Sequence, residues 1–259
     1  MGERLVRQRI LITGASSGLG AGMARLFAER GRDLALTARR TDRLDSLRAE
    51  LLAAYPTITV TAHHLDVDDH DTVFKVFGRC RDELGGLDRV VVNAGLGKGA
   101  RIGSGRFDAN RQTAMTNFVS ALAQCEAAMQ VFTTARAGHL VVVSSVTAAR
   151  GMPGAMTAYA ATKAGVAALA EGIRADQLRR PAGTPAVAVT TLFPGYIASE
   201  MNERVAHTVR HMVDTETGCR AMVAAIEREV DAAVVPTWPW WALMPVLRYA
   251  PLSWVRRLL

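Results

Sequence analysis

Of 259 residues, 49% are hydrophobic and 21% charged, and 31 Lys and Arg against 24 Asp and Glu leave a formal net charge of +7. Such a chain has the apolar content for a sizeable core, which excludes a disordered or fibrous protein. The positive excess suits an anionic small molecule, an acidic membrane surface or nucleic acid. Scattered basic residues, without a run or interleaved aromatics, make nucleic acid the weakest of these.

Short, nearly continuous apolar runs at Arg9–Thr13, Asp33–Thr37, Thr57–His63, Arg89–Asn93, His139–Ser144 and Ala186–Phe193 read as strands buried on both faces of a parallel sheet. Helix-like segments lie between them at Leu19–Arg30, Asp42–Tyr55, Asp69–Leu84, Asn110–Ala135 and Thr157–Arg180. This alternation predicts an α/β fold: a single-domain, Rossmann-type doubly wound parallel sheet with helices on both faces. One domain is expected over residues 1–235, because no repeat, low-complexity tract or linker interrupts them. The tail 236–259 differs, holding all four tryptophans and four of the nine prolines, and reads as an appendage.

Cys80, Cys125 and Cys219 are odd in number and far apart, so neither a disulfide framework nor a metal site is expected, and a reducing cytoplasm is the simplest setting. No secretory signal is visible, and no run of about twenty apolar residues predicts a membrane span.

The first strand runs into Thr13-Gly14-Ala15-Ser16-Ser17-Gly18-Leu19-Gly20 and then a helix. A dinucleotide site needs a tight turn, backbone that approaches a pyrophosphate without a Cβ in the way, and close helix–strand packing. Glycines meet all three needs, and the helix N-terminus adds free N–H groups and the positive end of its dipole.

The spacing Thr-Gly-x-x-x-Gly-x-Gly resembles the cofactor turn of the short-chain dehydrogenase/reductase family, and further family motifs follow in order. They are Asp66-Val67 after the third strand, Asn93-Ala94-Gly95 ending the fourth, Asn117 in the next long helix and Ser144-Ser145 after the fifth strand. Tyr159-Ala160-Ala161-Thr162-Lys163 matches Tyr-x-x-x-Lys, and Pro194-Gly195 follows the sixth strand. The resemblance spans roughly residues 8 to 200. It implies a nicotinamide dinucleotide lined by Gly14, Ser16, Ser17, Gly18, Leu19, Gly20, Asp66, Val67, Asn93, Ala94, Gly95, Pro194, Gly195, Ile197 and Ser199. Asp66 would contact adenine, Ser199 the carboxamide, and Lys163 the nicotinamide ribose. Residues of about 195–230 would form a mobile lid that excludes water on closure.

A ribose 2′-hydroxyl is held by an acid at the end of the second strand, and a 2′-phosphate by arginine. Ala38 stands at the acid's position and Arg39 and Arg40 follow, so NADP(H) is the expected cofactor.

Reduction of a carbonyl leaves an alkoxide that needs a proton. Tyr159 and Lys163 lie four residues apart on one helix face, and an ammonium there is expected to lower the phenol's pKa toward the working range. A serine would hold the substrate oxygen. Ser145 lies fourteen residues before Tyr159, where the family has thirteen, and one extra residue between Gly154 and Tyr159 accounts for the difference. That alignment favours Ser145 and leaves Ser144 to packing. The resemblance gives Asn117 a water in a proton relay to the lysine; a polar side chain satisfied by backbone is the alternative reading.

The function expected is an NADP(H)-dependent oxidoreductase reducing a ketone or aldehyde, with Asn117, Ser145, Tyr159 and Lys163 as catalytic residues. Oxidation of an alcohol, and a membrane-surface dinucleotide-binding protein, are the alternatives. Met152, Met156 and Met201 either border an apolar substrate pocket or are ordinary core methionines. The tail's tryptophans with Arg248, Arg256 and Arg257 suit either packing on a subunit or the pocket mouth, or peripheral membrane contact, and Pro239, Pro245 and Pro251 argue against one clean amphipathic helix. Alanine-rich faces at Asn117–Ala135 and Tyr159–Leu178 suit close pairing in a homodimer or homotetramer, as in the family.

Overall fold

The computed structural model describes residues 6–179, 187–200 and 212–254. Seven parallel strands form one sheet: β1 (Arg9–Thr13), β2 (Asp33–Ala38), β3 (Val60–His64), β4 (Arg89–Val92), β5 (His139–Val143), β6 (Ala188–Pro194) and β7 (Ala232–Val235). The helices are α1 (Gly18–Glu29), α2 (Thr41–Ala54), α3 (His70–Glu83), α4 (Phe107–Ala114), α5 (Ser120–Ala135), α6 (Met156–Leu178), α7 (Thr215–Glu227) and α8 (Thr237–Tyr249). A π-helical turn at Met115–Val119 joins α4 to α5.

The strand order β3-β2-β1-β4-β5-β6-β7 reverses direction beside β1, and the crevice between β1 and β4 is where an open α/β sheet binds ligands. Two cores explain the strands' unbroken apolar runs. Ile10, Ile12, Leu34, Leu36 and Val91 face the layer containing Met23, Phe27, Leu44 and Met222. Leu11, Ala35, Val90, Val92, Leu140 and Val142 face the opposite layer with Phe77, Ala128, Phe132 and Val166. The inner strands β1, β2, β4, β5 and β6 are therefore buried on both sides, and the doubly wound parallel sheet expected from the sequence is the fold.

The structure departs from the expected elements in four places. β3 begins at Val60: Pro56–Ile58 form a turn and a bend, and Thr59 meets β2 through its carbonyl, which accepts from Leu34 N–H at 2.8 Å. β7 is a seventh strand, partly exposed and only four residues long, without a strong apolar pattern. Helix α7 buries Cys219, Met222, Val223 and Ile226 in the first core, so the stretch expected as a lid over about 195–230 contains a core helix. The tail does form a helix: Pro239 lies in the first turn, where its missing N–H is not required, and Pro245 lies inside. Trp238 leaves helical geometry, so α8 is not one clean helix. Arg180, Ala186, Met201, Arg256 and Arg257 lie outside the described residues.

Candidate active site

The turn after β1 is built by contacts between two motifs distant in sequence. Asn93 donates its side-chain amide to the Thr13 carbonyl at 2.9 Å, while the Thr13 hydroxyl accepts from the backbone N–H groups of Asn93 (3.0 Å) and Ala94 (3.1 Å). The ends of β1 and β4 are thereby clamped side by side. Gly14 has φ +66°, and a Cβ there would stand 2.9 Å from Ala94 Cα; one at Gly20 would stand 2.9 Å from Ala15 Cα. Both glycines are required by conformation or by close approach. Helix α1 then starts with no side-chain cap and no acidic residue in its first turn, leaving its N–H groups directed at the cleft.

A cleft of about 420 Å³ opens at the carboxyl ends of the strands. It is lined by Gly14, Ser16, Ser17, Gly18, Leu19, Arg39, Arg40, Asp66, Val67, Asn93, Ala94, Gly95, Ser145, Tyr159, Lys163, Pro194, Gly195, Ile197 and Ser199. Of the expected site residues, only Gly20 and Asn117 are not in the lining. Gly20 supports the turn from below. Asn117 is buried in the π turn, where its Oδ1 accepts from Leu96 N–H at 2.7 Å and its amide donates to the Leu96 carbonyl at 2.9 Å. Its side chain is satisfied by backbone and fixes the loop after Gly95.

Arg40 crosses the mouth, donating from Nε to Ser16 Oγ at 3.2 Å, from one terminal nitrogen to Ser17 Oγ at 2.6 Å, and from the other to Glu200 at 3.0 Å. Arg39 is exposed in the lining and makes no side-chain hydrogen bond among the described residues.

At the other end, Tyr159 stands in the first turn of α6 and Lys163 one turn later. Ser145 caps the 3₁₀ turn Val146–Ala149, and the loop continues through Gly154, with φ +67°, into α6; the extra residue in the Ser–Tyr spacing is absorbed there. The Ser145 oxygen accepts from Thr147 N–H at 3.2 Å and from the Thr147 hydroxyl at 3.0 Å, which leaves its own proton for donation. Ser144 instead donates to the Lys163 carbonyl at 2.8 Å, the packing role expected of it.

The electrostatics correct one expectation. Lys163 donates to the Val143 carbonyl at 2.9 Å and sits 5.9 Å from the centre of the Tyr159 ring. Burial pushes the Tyr159 phenol up to about 12, with the Ser145 hydrogen bond pulling the other way. Burial likewise brings the lysine down to about 8. Desolvation is the leading cause for both groups, and it favours the protonated phenol.

Sequence reasoning missed several parts of the site. Ala38, Leu65, Leu96, Thr116, Val143, Ser144 and Glu200 complete the lining. Trp240 of α8 is buried against Tyr196, with ring centres 5.6 Å apart, and its indole lies where a Gly195 Cβ would be. Arg150, just past the 3₁₀ turn, donates to the carbonyls of Leu247 (3.3 Å) and Ala250. The tail is thus anchored beside the Ser145 loop; aromatic enrichment after residue 236 was the signal that could have suggested it. Met152 is buried and Met156 partly so, and neither lines the cleft.

Known proteins agree with this geometry. The short chain dehydrogenase family profile matches residues 8–210. An uncharacterized oxidoreductase of Mycobacterium tuberculosis is 55% identical over 253 residues, covering 98% of each chain. One from Myxococcus xanthus is 36% identical, covering 91% of this chain and 88% of its own. Among solved structures, a short-chain dehydrogenase from Sphingobium yanoikuyae in complex with NADPH superposes with a TM-score of 0.80 at 26% identity, covering 95% of this chain and 94% of that one.

Proposed function

The chain belongs to the short-chain dehydrogenase family of oxidoreductases, and from that premise we propose that it is an NADP(H)-dependent reductase of a ketone or aldehyde on a lipophilic substrate. The observation that carries this reading is Ser145 and Tyr159 side by side with Lys163 at one end of a cleft whose other end presents arginine and uncapped helix N–H groups.

The residues fit the dinucleotide. Gly14 and Gly20 keep side chains out of the turn, α1 offers its N-terminus to a pyrophosphate, and Ala38 stands where an acid would favour a bare ribose, with Arg39 and Arg40 next to it. A neighbour crystallised with NADPH supports the same choice. When bound, the reduced nicotinamide supplies a hydride to the carbonyl carbon. Ser145 donates its hydroxyl to the carbonyl oxygen, polarising it and holding it beside Tyr159. Tyr159 gives its proton to that oxygen as charge develops, and a phenol held near 12 is protonated throughout the neutral range. Lys163, below its pKa of about 8, holds a positive charge next to the phenolate that remains. Asn117 keeps the Leu96 loop in place beside Lys163. The protonated phenol favours reduction over alcohol oxidation, which needs a base.

On this reading residues 1–235 carry cofactor and catalysis, and the tail 236–259 walls the substrate end through Trp240. The apolar outer face of the tail (Trp238, Trp241, Tyr249 and Trp254, all exposed) supports contact with a membrane surface or a second subunit. Exposed Phe118, Val119 and Leu122 beside α6 support pairing of subunits through these helices. No helix among the described residues is long and apolar enough to cross a membrane.

The test is NADPH consumption against ketones and aldehydes graded by chain length and ring number, for wild type and Tyr159→Phe. Turnover of a bulky apolar carbonyl by wild type, lost in the variant, is expected. Wild-type turnover by Tyr159→Phe would overturn the mechanism.

A further inference from the structure

The mouth of the cleft contains an anion receptor that already has an anion in it. Glu200 follows β6, while Arg40 and Arg43 follow β2, so the carboxylate reaches them from across the cleft. One carboxylate oxygen accepts from Arg40 at 3.0 Å and the other from Arg43. Arg40 is steadied from behind by the Ser16 and Ser17 hydroxyls of the glycine turn. Among the described residues neither arginine has another acidic partner. The guanidiniums hold Glu200 down to about 2, Arg43 contributing most and Arg40 next, with Ser17 also hydrogen-bonded to it.

These side chains keep 41–46% of their exposure, so the ion pairs hold the carboxylate in position without locking it. A phosphate monoester carries close to two charges and three acceptor oxygens, against one charge and two oxygens for a carboxylate. Two forked guanidiniums and a hydroxyl match the phosphate better.

We propose that Glu200 is an internal stand-in for a ligand phosphate: it occupies the receptor formed by Arg40, Arg43 and Ser17 and is displaced by a phosphate on the adenosine ribose. Arg43 and Glu200 then become specificity-determining residues, Arg43 by binding the phosphate and Glu200 by competing with it. The inference rests on the NADP(H) reading above.

Calorimetric titration of adenosine 2′,5′-bisphosphate and adenosine 5′-monophosphate, which differ only in the 2′-phosphate, tests it on the intact chain. Glu200→Gln should bind the bisphosphate about threefold to tenfold tighter than wild type and the monophosphate within about twofold. Arg43→Gln should weaken the bisphosphate by about the same factor and leave the monophosphate unchanged. A wild-type preference for the bisphosphate that Glu200→Gln leaves unchanged or reduces overturns the competition. Weaker monophosphate binding by Glu200→Gln also overturns it, since the carboxylate would then be holding ribose hydroxyls. If neither wild type nor Glu200→Gln distinguishes the two nucleotides, the NADP(H) reading itself falls, and the inference with it.

Discussion

The two ends of the sheet treat polar groups in opposite ways. At the carboxyl ends of β1, β4 and β5, glycine backbone, an uncapped helix and hydroxyls face an open cleft. At the amino ends, Arg89 and His139, opposite each other on β4 and β5, are buried and fully engaged. Arg89 donates to His139 Nδ1 at 2.9 Å and to Glu227 at 2.7 Å, and His139 Nε2 meets Thr190 Oγ1 at 2.9 Å. Arg7 closes the group from outside, donating to Glu229 at 2.7 Å. One edge leaves hydrogen-bonding capacity for a ligand; the other spends it on tying α7 to the strands. Function and stability should therefore separate by edge.

The largest effect should come from the open edge. Tyr159→Phe should lower turnover by about 10² to 10⁴ while its urea midpoint stays at the wild-type value, measured on one preparation. Loss of stability equal to loss of activity would erase the distinction between edges. Next is Arg89→Leu, which leaves Glu227 only its 3.4 Å contact with Arg32 and removes the hydrogen bond to His139. A cost of about 3 kcal/mol in chemical unfolding is expected, with the affinity for dinucleotide unchanged in the folded fraction.

Two pH effects sharpen the comparison further. Lys163 loses its charge above about 8, so kcat/KM for reduction should fall by about tenfold per pH unit beyond that point. In Lys163→Met, slower throughout, this limb should be missing; if it persists, another group titrates. At the buried edge, burial and the charges of Arg89 and Arg7 hold the His139 pKa well below its ordinary value. The folded state then binds fewer protons than the unfolded chain once pH drops below about 6.5, so stability falls with pH, by at most about 1.4 kcal/mol per unit. Glutamine at 139 preserves one donor and one acceptor and should flatten that slope between pH 6 and 5; an unaltered slope would assign it to other groups.

Most of the cleft lining was legible because its requirements are local. Gly14 and Gly20 are demanded by backbone geometry, and Tyr159 with Lys163 by one helical turn. Ala38 followed by two arginines needs only the end of a strand to be read. The contact of Asn117 with the Leu96 backbone was not legible, because it depends on a π turn that brings this side chain to a loop twenty-one residues earlier. The Tyr159 pKa was misjudged in direction, since spacing reveals the neighbouring charge but not the depth of burial. Glu200 was invisible as a partner of Arg40, from which it is 160 residues distant.

Alternating apolar runs and helical segments determined the doubly wound sheet, and the ordered glycine, asparagine, serine, tyrosine and lysine motifs determined the family and the site's position. These signals act over a few residues, through backbone conformation and side-chain period. Tertiary structure alone decided that an acidic side chain pairs with Arg40 and Arg43, that Arg89 and His139 share a buried network, and that Trp240 packs on Tyr196 and Gly195. Each of these depends on desolvation and on charges carried by segments that meet only when the sheet has formed.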